Sequence, residues 1–244
     1  MIGIPLASAI GGPLSGVLLD LDGLWGLAGW QWLFLVEGIP AVILGVVAIR
    51  YLTDQVEDAH WLEAGERGWL RGQLDAEREA LAGKTHTELK EIFTSPRVLT
   101  LTLTYLCFAT ALYGFTLWLP LIIRETLGVS NTNVGLIVGL VGLCGAAAML
   151  LNSIHSDRTG ERVKHTTIPV LVSACVVAFA AWLLPSGASI VALGAGIVAL
   201  NAMGPTFWTL PRAALQGTAA AGGIALINAT GNLGGFLGPS ALGR

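Results

Sequence analysis

Seven long apolar runs, interrupted once by a charged insert after the second run, constrain this chain more than any other feature. The runs lie near residues 3–20, 31–50, 97–121, 132–152, 166–184, 188–209 and 216–238. Each is close to the roughly 20 residues that a helix needs to cross about 30 Å of hydrocarbon. Backbone polar groups in lipid must pair within their own segment, so the runs predict seven transmembrane helices and an all-α membrane protein.

The composition supports a membrane protein and argues against several other classes. Hydrophobic residues make up 54% of the 244 residues and charged residues only 12%. The net charge of −3 and the lack of a basic stripe argue against a nucleic-acid partner. The sequence offers no nucleophile–base pair and no cluster of metal ligands, so we expect no enzymatic activity and neither a metal nor a cofactor.

The distribution of Lys and Arg predicts the orientation in the membrane. Eleven of the thirteen cations lie in or beside the insert and the loops that follow runs four and six. Cytoplasmic loops carry the excess of Lys and Arg, so those loops are predicted to be cytoplasmic. The chain is then a multi-pass protein of the inner (plasma) membrane, with Met1 and residues 53–95 on the cytoplasmic side.

The insert contains a predicted amphipathic helix. Within residues 54–93, large apolar residues recur at helical spacing among charged ones. One interpretation is a regulatory helix that binds a partner. The favoured interpretation is a helix lying against the cytoplasmic face of the membrane with its Trp side chains at the headgroups. The apolar residues concerned are Trp61, Leu62, Trp69, Leu70, Leu74 and Leu81.

Glu37 is the one acidic residue well inside an apolar run. A carboxylate within the membrane is costly, which makes a proton carrier or an ion ligand one hypothesis. However, Glu37 lies only six residues into run two, near its outer end, where it can hydrogen-bond a neighbouring helix or reach water. A structural or gating role is therefore favoured.

The turn between runs four and five combines one acid with several cations. Asp157 stands at the end of one helix, and Arg158 and Arg162 follow it. Asp157 is suited to cap a helix N-terminus, and the two arginines are suited to hold acids or carbonyl groups. This composition fits a latch between helices, although an ordinary positively charged loop would have the same composition.

The last fifty residues provide most of the candidate substrate site. Run six ends in a segment interrupted by Pro205 and Pro211, and interrupted helices expose backbone groups that can line a cavity. In run seven, Asn228 and Asn232 are four residues apart and share a helical face. We expect Asn228 to donate hydrogen bonds into a central cavity with Trp208 as its aromatic wall, whereas Asn232 is favoured as an interhelical hydrogen bond.

Two further features concern the same region. Tyr113 lies deep in run three, where its hydroxyl could reach the cavity. Glycines four residues apart in run seven predict faces for close helix contact. These pairs are Gly231 with Gly235 and Gly234 with Gly238.

Several of these blocks, in one order, resemble the anion:cation symporter family of the major facilitator superfamily. The resemblance covers essentially the whole chain. The family includes bacterial and fungal carriers of phthalate, tartrate and sugar acids. It rests on Gly29-Trp30-Gln31-Trp32 through Glu37-Gly38, Tyr51-Leu52-Thr53-Asp54, Ala59-His60-Trp61-Leu62, Tyr113-Gly114, Trp118-Leu119-Pro120, Ser156-Asp157-Arg158, Phe207-Trp208 and Leu210-Pro211.

The resemblance implies a partial major facilitator fold, with seven of twelve helices present. Residues 1–52 would be the last two helices of the N-terminal half, residues 53–95 the cytoplasmic central loop, and residues 96–244 the first five helices of the C-terminal half. The runs would thus be helices five to eleven. The family's proton-carrying residues and its substrate-binding cation lie mainly in helices one to four, so the missing N-terminal helices would be required for transport.

The resemblance also implies a function and site residues. The function is secondary active transport by alternating access, with symport of a small organic anion such as an aromatic acid, a sugar acid or a dicarboxylate, together with a proton. Tyr113, Trp208 and Asn228 match substrate-facing positions of the family. Thr206 and Phe207, with Asn232, are added as candidate substrate-binding residues, although the family often has serine or glutamine near some of these positions.

Three alternatives stay open. A seven-helix receptor or sensor would fit the number of runs, but the uneven division into two and five argues against it. A half-carrier that assembles with copies of itself is also possible in principle, as is a truncated transporter fragment without function.

Overall fold

The computed structural model describes residues 1–82, 95–214 and 218–243, and these residues form α-helices and no strand. Two short 3₁₀ turns, Leu24–Gly26 and Val56–Asp58, lie in the connections. The helices are α1 (Gly3–Leu19), α2 (Gly29–Tyr51), α3 (Ala64–Ala82), α4 (Pro96–Leu127), α5 (Asn131–Thr159), α6 (Val163–Trp182), α7 (Gly187–Ala214), α8 (Thr218–Asn232) and α9 (Gly234–Leu242).

Five of these helices are long and apolar enough to cross a membrane, namely α2, α4, α5, α6 and the Gly187–Arg212 portion of α7. The prediction of an all-α membrane protein is therefore confirmed. The first run forms α1, an apolar helix of 17 residues. The seventh run differs from the single helix that was expected, because it divides into α8 and α9 at Leu233, between glycines that weaken a helix.

The central helix of the bundle is α7. It packs most extensively against α6 and α5, and it also contacts α4. Its N-terminal half contributes to one apolar core with α4, α5 and α6, whose members include Leu119, Ile123, Val134, Ala180, Ile190, Leu193 and Ile197. Its C-terminal half contributes to a second core with α4 and α8, formed by Val98, Met203, Phe207 and Ile227.

Glycines allow α1 to pack directly against the backbone of α5. A β-carbon added at Gly12 would lie 2.9 Å from the carbonyl oxygen of Gly135, and one added at Gly142 would lie 2.7 Å from the amide nitrogen of Ala9. At Gly16 the nearest atom would be the carbonyl oxygen of Asn131, at 2.5 Å. We call this contact the α1–α5 glycine seam. It joins the part of the chain before the insert to the part after it.

A second close contact joins run seven to α4. A β-carbon added at Gly234 would lie 2.5 Å from the amide nitrogen of Thr110, and one at Gly238 would overlap the carbonyl oxygen of the same residue. A β-carbon added at Gly231 would likewise overlap the ring of Tyr105. The predicted close-packing role is confirmed for these three glycines. A β-carbon added at Gly235 would lie 3.4 Å from the ring of Tyr113, which is an ordinary contact distance.

The first half of the chain packs less completely than the second. Most side chains of α2 are exposed, and α2 contacts mainly α1 within the described residues. The predicted amphipathic helix of the insert is present as α3, with Trp69 on it and Trp61 just before it, both exposed. The location of α3 against the membrane stays a prediction. Residues 83–94 and the side chain of Leu81 lie outside the described residues.

We expect Gly135→Ala to destabilise the bundle, because its methyl group would overlap the carbonyl oxygen of Gly12 across the glycine seam. Overpacking of this kind costs roughly 1–3 kcal/mol, which corresponds to a loss of roughly 3–10 °C in Tm. The measurement is thermal unfolding of the purified protein in detergent.

Gly45→Ala is the matched control, since a β-carbon at Gly45 in α2 meets nothing within 4 Å. Its Tm should stay the same or rise slightly, because alanine favours a helix more than glycine does. Equal Tm values for the two variants would contradict the role of the seam.

Candidate functional site

A small cleft opens where the N-terminal part of α1 meets the middles of α4, α5 and α7. Its volume is about 90 Å³, and most of the residues around it are apolar. Its polar members are Ser8 on α1, Tyr113 and Thr116 on α4, and Asn201 on α7. None of the described residues that line it is charged. We call it the mid-membrane cleft.

Tyr113 therefore occupies the region in which the sequence placed it. Its side chain is 43% exposed, and it lines the cleft while one edge of its ring touches Gly235. The residue is thus partly exposed where it lines the cleft. The cleft also includes Asn201 and Ser8, which the sequence did not single out as site residues. Their polarity in the middle of apolar runs was the available signal.

Trp208 belongs to an aromatic cluster formed by the C-terminal half of α7 and by α4. Its ring centroid is 4.9 Å from that of Tyr105 on α4 and 5.5 Å from that of Phe207. Phe207 itself is stacked on Tyr105 at 5.4 Å and only 1% exposed. Trp208 is half-buried and presents part of its ring outward, whereas Phe207 supports the cluster from within the core.

Thr206 ties α7 to the start of α6. Its hydroxyl donates to the carbonyl oxygen of His165 at 3.1 Å and to that of Met203 at 2.8 Å, and the residue is buried. Asn152 on α5 strengthens the same junction, because its amide donates to the carbonyl oxygens of His165 and Ala202, both at 2.9 Å. In this conformation Thr206 holds helices together and does not face the cleft.

Asn228 and Asn232 lie on one exposed face of α8, as their spacing predicted. The amide of Asn232 donates to Oδ1 of Asn228 at 3.2 Å. This bond lies within α8 and engages Oδ1 of Asn228, so the interhelical hydrogen bond that was expected of Asn232 is not the one that it forms here. The six predicted substrate-binding residues thus lie in four places: Tyr113 in the cleft, Trp208 with Phe207 in the aromatic cluster, Thr206 at the junction of α6 and α7, and the asparagine pair on α8.

Residues of the charged turn between α5 and α6 bond to one another. Nη1 of Arg162 lies 2.5 Å from Oδ1 of Asp157 and 3.1 Å from the hydroxyl of Ser156. The Ser156 hydroxyl in turn donates to the carbonyl oxygen of Glu161 at 2.8 Å. Arg158 is exposed beside them. The ion pair therefore fixes the shape of the turn between two helices.

Residues on the α6 side of this turn add a second polar cluster. The Glu161 carboxylate accepts from the amide of Lys164 at 2.7 Å, and this bond is the main reason that the pKa of Glu161 is below its ordinary value. Nδ1 of His165 lies 3.3 Å from the same carboxylate, and Nε2 of His165 lies 2.6 Å from Nδ1 of His155. The pairing of His155 and His165 was not predicted, because the turn brings together residues ten apart.

Glu37 connects the first two helices. Its carboxylate accepts a hydrogen bond of 2.6 Å from the hydroxyl of Ser15 on α1. This contact with a neighbouring helix is of the kind that the favoured structural interpretation expected for Glu37.

Asp20 caps α5 from the end of α1. Its Oδ2 accepts from the Thr132 hydroxyl at 2.6 Å and from the Thr132 amide at 3.0 Å. The hydroxyl is the main cause that lowers the pKa of Asp20 below its ordinary value. These bonds lie at the C-terminal end of α1, next to Gly16 of the α1–α5 glycine seam, and add a polar contact to it.

Comparison with known proteins gives consistent matches along the chain. A model of the Major Facilitator Superfamily matches residues 1–239. A protein of Agrobacterium vitis named "Putative tartrate transporter" is 43% identical over the full length of this chain, which covers 56% of that protein. These matches agree with the resemblance found in the sequence.

Two further relatives are more distant. A "Quinolone resistance transporter" of Acinetobacter baumannii is 36% identical over 98% of this chain, which covers 55% of it. The "Inner membrane transport protein RhmT" of Escherichia coli (strain K12) is 36% identical over 98% of this chain, again covering 55% of the relative. The chain thus spans about half the length of the curated relatives it matches.

We expect Asp20→Ala to lower the Tm of the protein by a few degrees at pH 7, because the Thr132 amide in the first turn of α5 loses its acceptor and α1 loses this polar contact with α5. The folded-state pKa of Asp20 is depressed, so its contribution is complete above the unfolded pKa, near 3.8, and is lost as the pH falls through the lower folded value. Thermal unfolding of the wild-type protein and of Asp20→Ala between pH 7 and pH 3 measures whether the difference between their Tm values shrinks as the pH falls.

Asp58→Ala serves as the control for the removal of an exposed carboxylate. Asp58 lies in the 3₁₀ turn before α3 and is not part of the glycine seam. A similar Tm loss in both variants, or an Asp20→Ala difference that persists unchanged at acid pH, would refute the assigned role.

Proposed function

The chain belongs to the Major Facilitator Superfamily, and we propose that it is part of a secondary active transporter that carries a small organic anion in symport with protons by alternating access. The observation that carries this proposal is the mid-membrane cleft between α1, which precedes the insert, and α4, α5 and α7, which follow it. Carriers of this kind place their substrate near the bilayer midplane between two halves.

The insert supports a division of the chain into two parts. Residues 1–52 would belong to one six-helix half, residues 53–95 to the cytoplasmic central loop, and residues 96–244 to the other half. The α1–α5 glycine seam would then be a contact between the halves. Small residues leave such a contact free of interlocking side chains, so that one half can rock against the other.

The described residues that line the mid-membrane cleft are all neutral. Tyr113 and Asn228 would supply hydrogen bonds, and Trp208 would supply an aromatic surface. Phe207 and Thr206 would hold Trp208 and the end of α7 in position, and Asn232 would orient Asn228. The Agrobacterium vitis relative, named for tartrate, favours a small carboxylate as substrate.

The turn between α5 and α6 would act in gating. The Arg162–Asp157 ion pair stiffens the connection of two helices that pack on α7. With Arg158 beside it, the turn can transmit the rocking of one half to the cytoplasmic end of the other. Glu37, bonded to Ser15, would keep α2 attached to α1 during the same movement.

A second candidate substrate class follows from the Acinetobacter baumannii relative. That protein is named for quinolone resistance and is 36% identical to this chain. Export of an aromatic drug would also use the Trp208 cluster. The higher identity to the relative named for tartrate makes the organic anion the primary proposal.

We expect Asn228→Ala to raise the KM for tartrate uptake about fivefold to tenfold, since one hydrogen bond to the anion is lost. Asn232→Ala is the matched comparison and should have a smaller effect, because Asn232 only orients Asn228. Uptake of labelled tartrate by cells expressing the complete reading frame that contains this chain is the measurement. A protonophore should abolish accumulation if protons drive it.

Two outcomes would count against this proposal. Unchanged kinetics in Asn228→Ala at equal membrane levels would remove Asn228 from the site. An absence of tartrate uptake, combined with increased resistance of the cells to a quinolone, would replace the anion by the drug as the substrate class.

The proposed location is the inner membrane, with Met1 and residues 53–95 in the cytoplasm. We expect Gln73→Cys, on α3, to react with an impermeant maleimide only after the membrane is opened. Glu125→Cys, near the outer end of α4, should react in intact cells. Both variants are made after replacement of Cys107, Cys144 and Cys175, and the reverse labelling pattern would overturn the orientation.

A further inference from the structure

Asn201 lies in the middle of α7, and its amide group has one determined orientation. The residue is only 8% exposed, and its Nδ2 donates to the carbonyl oxygen of Ile197 at 3.0 Å. A carbonyl oxygen can only accept a hydrogen bond, so the atom that faces Ile197 must be the NH₂ group. The carbonyl oxygen of the amide, Oδ1, therefore lies on the other side.

Gly145 on α5 makes room for this side chain. A β-carbon at that position would lie 3.2 Å from Nδ2 and 3.4 Å from Cγ of Asn201, which is closer than side chains normally pack. The glycine thus lets α5 approach the amide and restricts the positions that the amide can take. The orientation of Asn201 is built into the contact between two helices.

The Oδ1 atom of Asn201 has no donor among the described residues, whose hydrogen bonds to this side chain are limited to the one from Nδ2 to Ile197. Every fully buried side-chain nitrogen or oxygen of the described residues has a hydrogen-bond partner. Since Oδ1 has none, it is not fully buried and must be exposed to open space. Asn201 lines the mid-membrane cleft, and we infer that this cleft is the open space that Oδ1 reaches. An acceptor oxygen in an apolar environment is costly until it receives a hydrogen bond.

The surroundings of Oδ1 select the chemistry of the group that can bond to it. The other polar groups of the cleft are the hydroxyls of Ser8, Tyr113 and Thr116, and none of its described residues carries a charge. A carboxylate would meet the lone pairs of Oδ1 without a cation nearby. A hydroxyl group can donate to Oδ1 and accept from a neighbouring hydroxyl, and a cleft of about 90 Å³ has room for groups of that size.

We propose that Asn201 determines specificity by accepting a hydrogen bond from a hydroxyl group of the substrate, so that the carrier prefers a hydroxylated acid to the same acid without hydroxyls. The inference rests on the proposed transport function and deepens it. It assigns the hydroxyl groups of the substrate to the mid-membrane cleft, at the contact between α1 and the helices that follow the insert.

The test compares tartrate with succinate, which has the same carbon chain and no hydroxyl group. Each acid is used to inhibit uptake of labelled tartrate by cells that express the complete reading frame containing this chain. The ratio of the two inhibition constants is the readout, because it does not depend on the amount of protein in the membrane. The wild-type protein should bind tartrate more tightly.

Asn201→Leu removes the acceptor at similar volume, and Asn201→Ala removes it without adding bulk beside Gly145, in case the first variant does not fold. Either change should lower the preference for tartrate about fivefold to tenfold, the effect of one hydrogen bond. Asn152→Ala is the matched control, because its amide joins three helices and is not part of the cleft. It should leave the ratio unchanged.

The outcomes separate the inference from the function on which it rests. A wild-type protein without preference for tartrate, or variants that transport with an unchanged ratio, would overturn the role of Asn201 while the transport function stands. A wild-type protein that takes up neither acid would overturn the proposed function itself. A reduced ratio in the Asn201 variants, with an unchanged ratio in Asn152→Ala, would support the inference.

Discussion

The contact between α1 and α5 is the constraint on which the rest of the structure depends. Lipid offers no hydrophobic force to bring two apolar helices together, so their association relies on close approach and on a few polar bonds. Gly12 and Gly135 provide the close approach, and Asp20 provides the polar bond at the C-terminal end of α1. Without this approach Ser8 would not reach the mid-membrane cleft, and the segments before and after the insert would not share a site.

The sequence predicts the helices well because the physics of the bilayer acts on each segment separately. A run of apolar residues must form its own hydrogen bonds, so each run is sufficient evidence for a helix. The pairing of helices depends on two segments at once. The glycines at 231, 234 and 238 predicted a close contact, yet nothing local identified α4 as their partner. The division of run seven at Leu233 was not predicted either, since Leu233 is an apolar residue within an apolar run.

The candidate site was predictable where neighbours along a helix decide the geometry. Asn228 and Asn232 pair because residues four apart share a face. Phe207 and Trp208 show the limit of this reasoning. Adjacent residues point about 100° apart on a helix, so one can be buried while the other is half-exposed, and only the position of α4 determines which. The sequence did not identify Asn201 as a site residue, because its proposed role depends on the orientation of its amide group, which only the packing of two helices determines.

The neutrality of the mid-membrane cleft separates two tasks that an anion carrier must perform. Binding the charge of a carboxylate requires a cation or several strong donors, and none of the described residues lining the cleft is charged. Recognition of hydroxyl groups requires neutral donors and acceptors in a dry environment, where an unmade hydrogen bond is costly. The described cleft is suited to the second task. Affinity for the anion and selectivity among anions would then depend on different residues, so that selectivity can change without loss of charge recognition.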